Sequence, residues 1–388
     1  MTSTEIETDQ VQGWYVDPWG AYSWRWWDGA AWTANVSLRK ASQPALPNWL
    51  SFPVLICAFI SVPMMLIFVY LNPLAVFLAL APLVLLFVAL WALNLFAPQP
   101  WSSRIHALLW GALVATLVSG ILNTTVGFLL GEQLGLIASA PLVEEATKGL
   151  AIVWALRRKE IDGVIDGVTY STLAALGFAV VENILYFSGS FSLGSLLHTF
   201  FLRGILTPFA HPLFTFWIGL AVGLSVRWKQ SFYLHLLWGY PLAVVGHASW
   251  NGGITYSIEI GQQNLVWFAY PMYLLLFLSV LAGSILTLRR QQQVFTQQIP
   301  LLATRYQISE AEVEIFSDWR KRLATRRELT AEQRQNFDRL HASLVKLALA
   351  HGGPAKVTRI TQELLASQLQ AARLRAFAVA AGPSIGEV

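Results

Sequence analysis

Two adjacent glutamates, Glu144 and Glu145, stand four and three residues before Lys148 in a stretch otherwise dominated by small and apolar side chains. Further on, Glu182, His211 and His247 each stand in apolar surroundings, with Thr215 four residues after His211 and Asn251 four after His247. Ionisable residues inside segments apolar enough to cross a membrane are costly, so each is a functional candidate by default. Carboxylates, imidazoles and an amide in a semi-dry cavity suit water-dependent hydrolysis. A glutamate can take a proton from water, a histidine can orient that water or protonate the leaving amine, and Asn251 can donate to an oxyanion. Alternatively, Glu182, His211 and His247 could ligate a metal such as zinc, with Glu144 or Glu145 as base. Lys148 can neutralise either glutamate at i, i+3 or i, i+4 spacing. The two glutamates point about 100° apart on a helix, so only one is expected to enter the site. There is no HExxH or GxSxG motif, and Cys57 lies outside the site-bearing segments. A proton-coupled transporter with a buried Glu/His relay is the alternative of another class. It should show an internal repeat, and none is seen.

The elements that must position these residues are membrane spans. The 388-residue chain is 55% hydrophobic and only 12% charged, and residues 51–103 contain no charged side chain. This excludes a purely soluble fold, a disulfide scaffold and an intrinsically disordered chain. At roughly 20 apolar residues per span, eight segments qualify: 53–71, 73–96, 106–130, 134–156, 168–187, 204–226, 233–255 and 265–288. The expected fold is therefore all-α and polytopic. Lys and Arg in the connections divide ten against one, Arg203 being the exception, which predicts that both termini are cytoplasmic. With that topology Glu144 lies about 15 Å below the outer face, and Glu182, His211 and His247 fall in the same outer half. A shared depth predicts one site. Gly149, Ala174, Ala175, Gly177 and Gly246 would let its helices approach closely.

These residues resemble a known family. Glu144-Glu145-Ala146-Thr147-Lys148 is similar to the EExxK motif of the bacterial PrsW-type intramembrane proteases, and Phe178 to Glu182 is similar to their FxxxE motif. His211 and the run from His247 to Asn251 correspond to the histidine segments that follow. The resemblance covers about residues 130–255 and extends to the wider group of CAAX prenyl proteases and abortive-infection proteins, whose second motif has histidine where Glu182 stands. It implies an endopeptidase of the plasma membrane acting on membrane-anchored proteins, anti-sigma factors among them. It leaves open whether catalysis is of the glutamate type or metal-dependent.

The ends are expected to be separate. Residues 1–12 read as a disordered N-terminus, 13–34 as a Trp-rich β-rich module, 35–50 as a linker, 51–288 as the transmembrane core and 289–388 as a helical cytoplasmic tail. Six of the 17 tryptophans fall between Trp14 and Trp32, around the turn signals Asp17-Pro18 and Asp28-Gly29. Gly13, Trp14, Tyr15, Asp17, Pro18, Arg25, Trp27, Asp28, Gly29, Trp32 and Thr33 make this stretch similar to a small Trp-rich domain of unknown function. No signal peptide is expected, since the first fifty residues lack a charged start followed by an apolar stretch. In the tail, Ser309/Glu312 and Thr330/Gln333 have capping-box spacing. Phe337, Leu340, Leu344 and Leu347 form an apolar stripe ending at Gly352-Gly353, and a further helix is expected over 355–378. The tail carries a net charge of +6, which suits a solvated face or an anionic leaflet. No nucleic-acid partner is expected. Asn183 and Thr215 read as helix–helix partners, Arg203 as an interfacial charge, and Asp162 and Asp166 as cap and turn residues. His106, His198, His235, His341 and His351 lie at span ends or outside spans and receive no role.

Overall fold

The computed structural model describes residues 13–16, 24–29, 31–37, 51–80, 83, 101–190, 192–262, 264, 266–306, 308–329 and 331–352. The expected disordered N-terminus, the Asp17-Pro18 turn, most of the linker and of the second span, Thr330, and the helix over 355–378 lie outside the described residues. The first unit described is a three-stranded antiparallel sheet in sequence order, β1 (Gly13–Val16), β2 (Trp24–Trp27) and β3 (Trp32–Ser37). Asp28 accepts a hydrogen bond from the Ala31 amide at 2.7 Å, and Gly29 takes φ 100°, so the Asp28-Gly29 signal makes the β2–β3 turn. Buried Trp27 meets the edge of Trp32 at 5.1 Å between ring centroids.

The membrane unit is helical. Its elements are α1 (Phe52–Leu71), α2 (Trp101–Leu130), α3 (Ala140–Arg157), α4 (Val164–Ser188), α5 (Leu193–Phe200), α6 (Ala210–Arg227), α7 (Phe232–Glu259) and the first part of α8 (Val266–Tyr306). Five described helices are long and apolar enough to span a membrane: Phe52–Leu71, Trp101–Leu130, Val164–Ser188, Leu193–Arg227 and Trp267–Thr304. The segments expected at 134–156 and 233–255 contain helices, α3 and α7, that are not among these five. The sixth expected segment is not one smooth helix. π-helical turns at Phe201–Leu206 and a turn at 207–209 precede α6, which starts at Ala210. That break sets His211 in the first turn of α6.

α4 is the central post, packed against α2, α3 and α6. Its core contacts are Tyr170, Leu173 and Leu176 with Ile152 and Ala155 of α3 and Ile218 and Val222 of α6. Small residues allow the approach. A Cβ on Gly111 would stand 1.8 Å from the Ala174 carbonyl oxygen, and one on Gly177 2.0 Å from that of Leu108. His106, near the start of α2, is fully buried. It stacks on Trp154 at 3.6 Å and shares a 2.9 Å hydrogen bond with Ser51.

In the tail, α9 (Glu310–Ser317), α10 (Trp319–Glu328) and α11 (Ala331–Gly352) form a bundle with the end of α8. The Ser309/Glu312 capping box forms, and Leu340, Leu344 and Leu347 pack with Phe295, Ile299 and Phe316. Arg326 makes a bidentate pair with Asp338 at 2.8 and 2.9 Å, which raises its pKa.

Candidate active site

α3 supplies the charged floor of the site. Lys148 is fully buried and donates to Glu145 Oε1 at 2.5 Å, with Glu144 Oε2 at 3.8 Å. Glu145 is also fully buried, and every direction around it is used. Its Oε1 pairs with His247 Nδ1 at 3.0 Å, and its Oε2 accepts from Thr215 at 2.7 Å. A buried ion pair is tolerable only when its remaining hydrogen-bonding capacity is satisfied in this way. Phe178 covers the lysine, with Nζ 4.5 Å from the ring centroid, an attraction between the cation and the ring face.

Glu144 differs from its neighbour. Its Oε1 accepts from Asn123 of α2 at 3.3 Å, whereas Oε2 is buried without a hydrogen-bond partner. That oxygen lies 3.8 Å from His247 Nε2. Glu144, His211 and His247 each offer a ligand atom, all within 4.8 Å of one another. The carboxylate that gathers with the two imidazoles is thus Glu144, where the sequence reading put Glu182. Glu182 Oε2 instead bonds His211 Nε2 at 2.6 Å and Arg203 Nη2 at 2.5 Å. Arg203 also donates to Asn183 at 3.0 Å and lies over the Tyr186 ring at 3.9 Å. It is therefore a site residue and not a free interfacial charge. His211 Nδ1 is 3.3 Å from Lys148 Nζ.

Glu144, Glu182, His211, His247 and Asn251 all line one cavity of about 680 Å³, whose apolar wall includes Phe128, Leu136, Phe214 and Trp250. Glu145 and Lys148 stand behind the wall. Asn251 donates one amide hydrogen to the Leu136 carbonyl at 2.9 Å, leaving the other for a second acceptor. Asn123, Ser139 and Arg203 were not picked out from sequence as site residues. The first two belong to no motif, and only their polarity within apolar segments could have drawn attention to them.

The family profile described as PrsW family intramembrane metalloprotease matches residues 99–283, the span that contains every one of these side chains. Over that stretch the chain is similar to PrsW family intramembrane metalloproteases. It is a multi-pass membrane protein. A second profile, described as a protein of unknown function (DUF2510), matches residues 13–45. Among curated proteins, a protease PrsW of Geobacillus kaustophilus is 32% identical over 116 residues, which cover 29% of this chain and 49% of that protein. A protease PrsW of Clostridioides difficile is 39% identical over 82 residues, covering 21% of this chain and 34% of that protein. The chain thus spans half or less of the length of these curated relatives. No solved structure matches.

Proposed function

We propose that this protein is an intramembrane endopeptidase of the plasma membrane that hydrolyses peptide bonds in membrane-anchored regulatory proteins, anti-sigma-factor-like proteins among them. The observation that carries this reading is Glu144 Oε2, buried, without a hydrogen-bond partner, and gathered with His211 and His247 at a cavity large enough for a peptide segment. Eight spans with both termini in the cytoplasm, a core over 51–288, a Trp-rich module over 13–34 and a tail from 289 complete the proposed organisation.

The side chains suit a metal such as zinc. One carboxylate and two imidazoles are a known catalytic set that leaves a position for water. His247 turns Nδ1 to Glu145, the outer carboxylate that orients a ligating imidazole. His211 has Nε2 on Glu182 and Nδ1 on Lys148, so it joins the set by giving up one of them. When bound, the ion would lower the proton affinity of a water and polarise the scissile carbonyl. Glu182, exposed to the cavity and held by Arg203, would take a proton from water at the site and return it to the departing amine. Asn251 offers its remaining amide hydrogen to the developing oxyanion. Glu145 and Lys148 hold His247 and His211 in register, and Phe178 shields the lysine.

The test is cleavage of membrane-anchored reporter proteins by the wild type and by Glu144→Ala, Glu145→Ala, Glu182→Ala, His211→Ala and His247→Ala, with and without a zinc chelator. Loss of cleavage in well-expressed variants supports the reading, and restoration by zinc after chelation supports the metal. Cleavage unchanged in all five sinks the protease reading.

A further inference from the structure

We infer that Asn123, oriented by Ser139, is a positioning residue that fixes the Glu144 carboxylate; the inference rests on the proposed protease reading. Asn123 comes from α2, and Ser139 from the π-helical turns Gly135–Ser139 just before α3. The Asn123 Nδ2 donates to Glu144 Oε1 at 3.3 Å, and the Ser139 hydroxyl donates to Asn123 Oδ1 at 2.8 Å. An ionised carboxylate can only accept, so the amide must turn its NH2 to Glu144. The serine hydroxyl on the other amide atom makes that orientation the satisfied one. The chain of two bonds occupies Oε1 and leaves Oε2, the oxygen without a partner, pointing at the histidines.

Two features argue against a simple helix–helix staple. Asn123 lines the cavity beside Glu144, where it meets the reactive carboxylate instead of a structural backbone group. The π-helical turns also carry Ser139 to the asparagine while α3 continues to Glu144 in the next turn and a half, so both ends of the relay are set by one short segment. A carboxylate with one oxygen anchored loses the rotation that would otherwise let either oxygen face the reaction, and such outer-shell partners contribute about 10–100-fold.

The test uses the full chain in liposomes with a membrane-anchored reporter, and compares Asn123→Leu, Ser139→Ala and Ser139→Thr. Asn123→Leu keeps the size and suits an apolar span, but removes the donor. It should lower kcat about 10–100-fold with KM within about twofold; Ser139→Ala should fall in the same direction, and Ser139→Thr should recover activity relative to it. A readout independent of turnover is the infrared carboxylate stretch, assigned by its loss in Glu144→Gln, which should shift in Asn123→Leu. An unchanged kcat with an unshifted band overturns the inference, as does a rise in KM alone, which would make Asn123 a substrate contact. If the wild type cleaves nothing, or Glu144→Gln still cleaves, the protease reading fails, while the band still reports on the Asn123–Glu144 bond.

Discussion

Replacing Gly177 by alanine tests whether the close packing of α4 on α2 is what aligns the site. The new Cβ would stand 2.0 Å from the Leu108 carbonyl oxygen and 2.9 Å from the Ala112 amide nitrogen, against the 3.4 Å at which ordinary contact begins. Both neighbours are backbone, so no side chain can swing away. The helices must part by roughly 1.4 Å, because a close-packed interior has no void to absorb the methyl. Phe178 and Glu182 lie one and five residues further along the same helix and move with it. A shift of that size at Glu182 is enough to break its 2.6 Å bond with His211, because hydrogen bonds tolerate only a few tenths of an ångström around their preferred length. A displacement of about 1 Å at a reacting constellation costs about 100-fold in rate, and overpacking costs about 1–3 kcal/mol in stability. The assay is reporter cleavage in proteoliposomes beside thermal unfolding in detergent. Gly253→Ala is the control, since a Cβ there meets nothing within 4 Å. Wild-type cleavage by Gly177→Ala would refute the packing argument.

Further outcomes follow from the buried charges. Glu145→Gln leaves Lys148 buried beside a neutral amide. It should lower stability by about 3–5 kcal/mol, measured by thermal unfolding, while Glu145→Gln with Lys148→Met should be more stable than Glu145→Gln alone. In the tail, buried His341 stacks on Phe316, and its Nε2 has no hydrogen-bond partner. Burial first, and then the Arg322 charge, hold its pKa well below the ordinary 6.5. Below about pH 6.5 the unfolded tail binds a proton that the folded tail refuses, so its stability should be full above that pH and fall as pH drops below it. Hydrogen exchange of the 310–352 amides in the full chain should quicken as pH is lowered, after correction for intrinsic rates, and His341→Phe should remove that dependence.

Much of the site could be read from the sequence because charge is so rare in the spans. Glu144, Lys148, Glu182, His211 and His247 stood out against an apolar background, and depth along the membrane grouped them. Depth does not give the angle around each helix, however. It could not say that Glu144 faces the cavity while Glu145 sits behind it, nor that Glu144 rather than Glu182 gathers with the histidines. Arg203 was misplaced for a related reason. A charge near a span end reads as interfacial, and although Pro208 marks a break at 207–209, it does not tell that Arg203 meets Glu182. The π-helical turns that bring Ser139 to Asn123 have no composition signature either. The tail stripe was legible because its 3.6-residue period survives in the packed bundle.

The most direct test of the central claim is isotopic. Purified full-length protein in liposomes is given a membrane-anchored reporter in H2(18)O, and the new C-terminus is read by mass spectrometry. Hydrolysis that depends on Glu144 as one of the site's gathered carboxylate and imidazoles predicts one atom of (18)O in the new carboxylate for the wild type, and at least about 1,000-fold less product for Glu144→Gln, the scale expected when a group central to the chemistry is removed. Equal product and equal label from Glu144→Gln would contradict the account.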